Sequence, residues 1–401
     1  MTIQPDKNPT FIPSTTHRKL RMGMVGGSLD AFIGAVHRRA AVLDNEIELV
    51  CGAFSSNPEK SRQTGHALYL PPNRVYANFE DMILREKELP EGERMDFVTI
   101  VTPNYMHFAP AKMALENGFH VVCDKPITLN LAEARELKRI VDETGLIFCL
   151  THNYTGYPMV KEARAMVRAG KLGKIRKVIV EYPQGWLAQL VEATGQKQAS
   201  WRTDPAKSGA VGGVGDIGTH AENLAEYITG LRITELCADL TIFVEGRLLD
   251  DDANMLLRFD NGAKGLLTNS QIANGEENPF SIRVYGEFGG LEWHQMEPNT
   301  LIYKTNEAGA RLIRTGVGDL SPEAQANTRL PAGHPEAFLE AFANIYTAFA
   351  QTLRSRLNGT EPDPIRLDFP GVDDGVRGMA FIDTVVASDK SDQKWTKFIA
   401  S

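Results

Sequence analysis

The chain has 401 residues, 42% of them hydrophobic, and a formal net charge of −8. That length is enough for two or three cores, and the negative balance argues against nucleic acid or an anionic membrane surface as a partner. No apolar stretch approaches a membrane span, and the polar opening MTIQPDKNPTFIPSTTHRKL lacks the apolar segment of a secretory signal, so residues 1–19 read as a polar arm. Cys51, Cys123, Cys149 and Cys237 are widely spaced and form no CxxC pair, which predicts free thiols in a reducing cytoplasm.

In chain order, a strand is expected over residues 20–26 (LRMGMVG) and a helix over 31–43. A second strand over 47–54 precedes a polar helix that starts near Asn57 and Pro58. Residues 97–102 (FVTIVT) read as a third strand, 107–117 as a helix stopped by Gly118, and 119–123 as a fourth strand. A helix over 130–143, with Asn130 as N-cap, leads to a fifth strand over 146–150. Nearly continuous apolar strands separated by helices predict a parallel sheet covered on both faces, forming an α/β domain over residues 1–150. Ligands of such a sheet gather beyond the carboxyl ends of its strands.

From residue 175 onward the pattern is mostly strands, over 175–182, 236–244, 253–259, 263–272, 280–286 and 290–293. Asn261–Gly262 is a hairpin turn, and residues 286–290 mark another. This predicts a second domain over 151–401 with a large open, mostly antiparallel sheet, one face covered by helices or by another subunit. Helices over 334–350 and 371–387 close the chain, and the last can pack on either domain.

Chemistry-bearing residues cluster at the expected strand ends. After the first strand come Gly26 and Gly27, with Phe32, Ile33 and Gly34 beyond. Glycine there lets backbone approach a pyrophosphate, and the next helix offers unpaired N–H groups to the anion. The strict G-x-G-x-x-G spacing is absent, so a plain glycine turn competes; the place at the first strand-to-helix crossing favours a dinucleotide. The second strand ends in Ser55 and Ser56, without the acid that grips the ribose of NAD. With Lys60 and Arg62 nearby, these hydroxyls suit a 2′-phosphate or a solvated turn, so NAD and NADP both stay open. Thr102, Pro103 and Asn104 follow the third strand, with His107 beyond; they border a nicotinamide side or merely cap the next helix.

The fourth strand runs HVVCDKPITLN and ends on Asp124 and Lys125. Charge at the end of a buried strand is costly unless solvent or a partner meets it. In the second domain Asp216 and His220 follow a glycine run and stand four residues apart, on one face of a helix. A local Asp124–Lys125 pair, an N-cap aspartate and a structural histidine would explain these residues blandly. Together across a cleft they suit hydride transfer at an alcohol. His220 serves as the base, Lys125 donates to the oxygen as it gains charge, and Asp216 accepts from a substrate hydroxyl. Asp124 caps or pairs locally. Asn153, Tyr154, Trp201, Arg202 and His334 are further candidates for lining a pocket around a polyhydroxylated ligand, each set against an ordinary surface loop. There is no HExxH or Cys/His cluster, and scattered ligands such as Cys51, His152 or His294 are better read as structural.

The stretches MVGG…IGAVH, VTPNYMH, HVVCDKP and GGVGDIGTH, in this order, resemble the glucose–fructose oxidoreductase, inositol dehydrogenase and rhizopine-catabolism (Gfo/Idh/MocA) family over nearly the whole chain. The resemblance implies an N-terminal Rossmann domain that binds NAD or NADP. It also implies a C-terminal α/β domain whose open sheet forms a substrate pocket and an oligomer interface, commonly of a homodimer or homotetramer. It places the catalytic lysine, aspartate and histidine at Lys125, Asp216 and His220, and implies oxidation or reduction at a ring alcohol or ketone of a sugar or cyclitol. Three departures stand out: Asp124 where glutamate is commoner, a longer glycine loop, and no acid at Ser55. Two rival functions remain: an enzyme that uses NAD transiently for oxidation, elimination and re-reduction at a glycoside, and a non-catalytic nucleotide-binding sensor.

Overall fold

The computed structural model describes residues 18–399, so residues 1–17 of the expected polar arm lie outside the described residues. The first part alternates β1 (Leu20–Gly26), α1 (Phe32–Val42), β2 (Ile47–Ala53), α2 (Pro58–Ala67), α3 (Phe79–Glu88), β3 (Phe97–Val101), α4 (Phe108–Glu116), β4 (His120–Cys123), α5 (Leu131–Thr144) and β5 (Phe148–Leu150). Its strands form a five-stranded parallel sheet in the order β2-β1-β3-β4-β5. Every residue of β3 and β4 is buried, as a sheet covered on both faces requires. Local chemistry sets the helix starts: Asn57 caps α2, accepting from the backbone N–H groups of Glu59 and Lys60, and Asn130 caps α5, accepting from Glu133.

The second part begins with α6 (Pro158–Arg168) and β6 (Ile175–Pro183), followed by the short helices α7 (Lys197–Arg202) and α8 (Pro205–Ser208) and then α9 (Thr219–Thr229). Seven strands come next: β7 (Ile233–Thr241), β8 (Asp252–Phe259), β9 (Lys264–Ser270), β10 (Ser281–Gly286), β11 (Gly290–His294), β12 (Thr300–Thr305) and β13 (Gly309–Arg314). The chain closes with α10 (Pro322–Ala326), α11 (Phe338–Leu357), α12 (Val372–Asp389) and β14 (Thr396–Lys397). These strands make a nine-stranded sheet, β13-β12-β11-β10-β6-β9-β8-β7-β14, antiparallel except for the β6–β9 pair. In β8 buried and exposed residues alternate, so one face packs inward while Asn254 and Leu256 point outward.

The late helices return to the first sheet. Phe349 of α11 meets Phe97 of β3 edge-on, with ring centroids 4.8 Å apart, and Phe342 lies 5.0 Å from His37 of α1. Helix α12 packs against α5, α9 and β7. Residues after 150 therefore supply part of the first sheet's cover.

Several elements differ from the sequence expectation. β7 lies over Ile233–Thr241 and not 236–244, because Ile233 pairs with Phe259 through a register shift; Ile242 and Phe243 fall beyond the strand and are exposed. Helices α3 and α6 and the strands β12 and β13 had no expectation. In β13 only Ile313 is buried, so this edge strand carries no apolar alternation. Helix α11 starts at Phe338, four residues after the expected position 334.

Burial sets the charge state of two histidines in the first sheet's layers. His37 Nδ1 is 2.8 Å from the Tyr346 hydroxyl, and His120 Nδ1 accepts from the Ile147 N–H at 2.9 Å. Burial pushes both down to about 4. The unfolded chain takes up protons near pH 6.5, but these folded histidines do so only near 4, so stability present above 6.5 is lost as pH falls. Each should remove about 1.4 kcal/mol per pH unit across that window. The urea midpoint is expected to drop between pH 7 and pH 5; a constant midpoint would contradict neutral burial.

Candidate active site

A cavity of about 470 Å³ opens between the carboxyl ends of the parallel sheet and the inner face of the large sheet. Phe32 and Ile33 of α1 and Phe338 and Phe342 of α11 contribute apolar wall, and Gln184, Gln196, Gln198 and Asn278 contribute amides. Lys125, Asp216 and His220 all line it.

Lys125 stands just past β4. Its ammonium donates to the backbone oxygen of Asp216 at 2.5 Å and to Asp216 Oδ1 at 3.2 Å. The local pairing with Asp124 does not form through this amine. Asp124 Oδ1 instead accepts from the Lys125 backbone N–H at 2.8 Å and from the Thr151 hydroxyl at 3.1 Å. Asp216 sits in a π-helical turn, Val214–Gly218, that runs directly into α9. The glycine run before it is pinned by Asp250, whose carboxylate accepts from the N–H groups of Gly212 and Val214 at 2.5 and 2.8 Å. A Cβ at Gly218 would lie 2.8 Å from Asn269 Oδ1, so a larger residue there would have to displace that buried side chain.

The second carboxylate oxygen of Asp216 accepts from Gln271 Nε2 at 2.9 Å and lies 3.2 Å from Arg202 Nε. Burial opposes this charge, but Arg202 and Lys125 more than reverse it and hold the carboxyl well below the usual range. Protein donors therefore occupy both oxygens. In this arrangement Asp216 anchors Lys125 while still lining the cavity.

His220 is buried among Tyr154 and Tyr182, with the Tyr154 ring edge-on at 4.8 Å. Its Nδ1 lies 3.3 Å from Nδ1 of His152. Burial, reinforced by Lys125 and His152, pushes His220 well below its ordinary value. Burial, with Lys125 adding to it against Asp124, pushes His152 down to about 3. Both rings are therefore neutral at pH 7. The Tyr154 and Tyr182 hydroxyls bond to each other. Asn153 also lines the cavity, and its buried Nδ2 has no protein partner, which leaves a donor for a ligand.

The dinucleotide edge is built by glycines. Gly26 and Gly27 have φ of 83° and 74°, left-handed values that disfavour any side chain. A Cβ on Gly34 would stand 2.3 Å from Gly27 Cα, so the missing side chain is what lets α1 close on the loop. Helix α1 has Ala31 as N-cap and no side-chain cap, so its first-turn N–H groups are left for an anion. These features fit a bound pyrophosphate. Ser55 and Ser56 follow β2 with no carboxylate beside them; the Ser55 hydroxyl accepts from the Asn57 N–H at 3.2 Å. Lys60 donates to Asp30 at 2.5 Å, and Lys197 of α7 reaches the same carboxylate at 2.8 Å.

Other candidates are spent on the protein itself. The Thr102 hydroxyl donates to the Met106 oxygen at 3.0 Å, Pro103 precedes a 3-10 turn over Asn104–Met106, and Asn104 Nδ2 donates to the Ser208 oxygen at 3.2 Å. Both ring nitrogens of His107 lie 2.8 Å from backbone oxygens, those of Pro126 and Thr102. Two residues named for substrate do not reach the cavity. Trp201 faces Arg202, whose guanidinium stacks over its ring at 4.3 Å; Arg202 lines the cavity and Trp201 does not. His334 is exposed in the turn before α11, with its Nδ1 3.2 Å from the Pro331 oxygen. The sequence reading missed Gln271 and the pairing of His152 with His220. Among the described residues, no group of three His, Cys, Asp or Glu is placed to hold a metal ion, and no helix is long and apolar enough to cross a membrane.

A parallel dinucleotide sheet, joined to an open sheet that carries an acid–base cavity, defines a two-domain NAD-binding oxidoreductase. Residues 20–152 match the model of the oxidoreductase family with NAD-binding Rossmann fold, and residues 160–292 match the GFO/IDH/MocA C-terminal domain. The chain belongs to the GFO/IDH/MocA oxidoreductase family. It is 34% identical to the uncharacterized oxidoreductase YfiI of Bacillus subtilis over 95% of this chain and 97% of that one. A crystal structure of an oxidoreductase from Sinorhizobium meliloti superposes with a TM-score of 0.85 at 46% identity, covering 95% of this chain and 100% of the other. An inositol dehydrogenase homolog from Azotobacter vinelandii, complexed with NADH and myo-inositol, gives a TM-score of 0.88 at 33% identity, covering 95% and 98%.

Gly34→Ala should force α1 away from Gly27. NAD affinity, followed by nucleotide fluorescence, is expected to fall by about tenfold or more, equivalent to roughly 1.4 kcal/mol. Unchanged affinity would place the pyrophosphate elsewhere.

Proposed function

We propose that this protein is an NAD-dependent dehydrogenase that oxidises a ring alcohol of an uncharged sugar or cyclitol, acting as a homodimer or homotetramer in the cytoplasm. The observation that carries this reading is the Lys125 ammonium held by Asp216 in one cavity with the neutral imidazole of His220. Two of the three ammonium donors go to Asp216, which leaves the third for the substrate oxygen. NAD, when bound, supplies the hydride acceptor. Lys125 stabilises negative charge on the alcohol oxygen as its proton leaves. Neutral His220 takes that proton, and in the reverse direction it returns it to the carbonyl.

The rest of the cavity supports a neutral polyol. Lys125 and Arg202 are balanced by Asp216 and Asp124, and the remaining polar wall is largely amide. An amide both donates and accepts, as a ring of hydroxyls demands. The Azotobacter relative that holds myo-inositol supports the same class. NAD in preference to NADP is supported by the pairing of nearby cations: Lys60 is bound to Asp30 and Arg62 to Glu59, which leaves less positive charge for a 2′-phosphate. Exposed Leu256 and Leu312 on the large sheet support an oligomer, and the buried free thiols of Cys51, Cys123 and Cys149 support a reducing compartment.

A screen of sugars, cyclitols and their keto forms with both cofactors is expected to show accumulating NADH with at least one polyol. Product formation without net NADH would indicate the oxidation–elimination–reduction cycle instead. Lys125→Ala should cut kcat by several orders with little change in NAD affinity. The acidic limb of kcat/KM should lie well below pH 6.5 and disappear in His220→Ala; a limb near 6.5 that survives this change would assign the base elsewhere.

Ser55→Asp should weaken NADP by about tenfold or more, a cost of roughly 1.4 kcal/mol, and spare NAD. Equal effects on the two cofactors would move the ribose away from the end of β2.

A further inference from the structure

His152 lies just beyond β5, 2% exposed, and is not part of the cavity wall. Its main chain is fixed: its N–H donates to the Leu150 oxygen at 3.0 Å, and its own oxygen accepts from the Thr155 hydroxyl at 2.9 Å. Its ring meets His220 edge-on, with centroids 5.2 Å apart and planes at 84°. The two Nδ1 atoms stand 3.3 Å apart. Two bare lone pairs would repel at that separation and two N–H groups would collide, so the pair holds one proton between its nitrogens.

That proton has two possible homes. On His152 it forces the neutral His220 to carry its own proton on Nε2, at the ring edge turned away from His152, and His220 can then only donate. On His220 it leaves Nε2 with a lone pair. We propose that His152 is a positioning residue whose Nδ1 accepts the Nδ1–H of His220, fixing Nε2 of His220 as the basic atom of the cavity.

This rests on the dehydrogenase reading given above. In the oxidising direction the alcohol O–H bond breaks and an Nε2–H bond forms on His220. The Nδ1–H bond stays intact, and the resulting imidazolium is stabilised by donating to His152. The groups that face the pair are Lys125, Asp124 and Asp216 at the cavity, and the Tyr154 and Tyr182 rings packed on His220. Lys125 makes a second positive charge costly, so the accepting partner matters most once His220 has taken its proton.

The test is the tautomer itself, read by ¹⁵N NMR of histidine-labelled full-length protein, together with kinetics. Wild type should show His220 protonated at Nδ1. His152→Phe keeps a ring but removes the acceptor, and His220 should become a tautomer mixture. Its kcat should fall roughly a hundredfold or more, as happens when a catalytic histidine loses the group that sets its tautomer, with unchanged NAD affinity and a shifted acidic limb. His152→Asn, which keeps an acceptor oxygen near the former Nδ1, should recover much of the Nδ1–H signal and of the rate. Wild-type His220 protonated at Nε2 would overturn the inference, as would an unaltered Nδ1–H signal in a folded His152→Phe. Lack of turnover by wild type on every polyol would instead remove the dehydrogenase reading, and the NMR result would still judge the pair.

Discussion

The ion pair between Lys125 and Asp216 joins the two halves of this molecule at the point where chemistry is possible. Lys125 extends from the end of β4 in the parallel sheet, and Asp216 stands at the start of the helix that covers the large sheet. Both side chains are mostly buried, at 13% and 17% exposure. Removing the Asp216 charge would strand the Lys125 ammonium, at a cost of about 3–5 kcal/mol. Arg202 and Gln271 bring α7 and the end of β9 to the same carboxylate, so with Lys125 three separate segments converge on one side chain. The ammonium is thereby fixed before any substrate arrives, the kind of preorganisation that makes a donor effective in a water-poor cavity.

The same burial that strengthens this pair keeps the neighbouring imidazoles uncharged. His220 lies near a fixed ammonium, and a second cation would be repelled in a medium of low dielectric. A base with a depressed pKa is weaker, but it is free of protons over the whole physiological range. The lysine offsets the weakness by lowering the cost of the alkoxide. The two groups are therefore not independent, and the burial that makes His220 a poor proton acceptor in isolation makes Lys125 a better donor to the oxygen losing that proton.

How much of this was legible in the sequence follows from what each feature depends on. The strand Leu20–Gly26, the helix start near Asn57 and the Asn130 cap are local, set by a few neighbouring residues, and they read correctly. The strand β13 has one buried side chain, and its pairing depends on β12 alone, so no pattern announced it. At the site, Lys125, Asp216 and His220 were visible because each is a polar group where an apolar run or a glycine run ends. Their partners were not. Gln271 reaches Asp216 only because the π-helical turn packs on β9, and His152 meets His220 only because the turn that follows β5 packs on α9. His334 failed for the opposite reason: the turn it occupies precedes a long helix in sequence, but that helix directs Phe338 and Phe342 to the cavity and leaves the turn in solvent.

The glycine loop shows the same division between identity and arrangement. Its spacing departs from the strict dinucleotide fingerprint, which weakens the motif as a string. The three functions of that string are nevertheless present: a left-handed turn at Gly26 and Gly27, an uncapped helix start at Ala31, and a side-chain-free contact at Gly34. A longer loop can meet the same anion if its backbone reaches the same contacts, so the fingerprint is better defined by the close approach of Gly34 to Gly27 than by the number of residues between them. Asp30, inside that loop, then ties α2 and α7 to it through Lys60 and Lys197. Helix α7 also carries Arg202, which holds Asp216. The cofactor loop and the catalytic pair thus both contact one short helix, the loop through Lys197 and the carboxylate through Arg202.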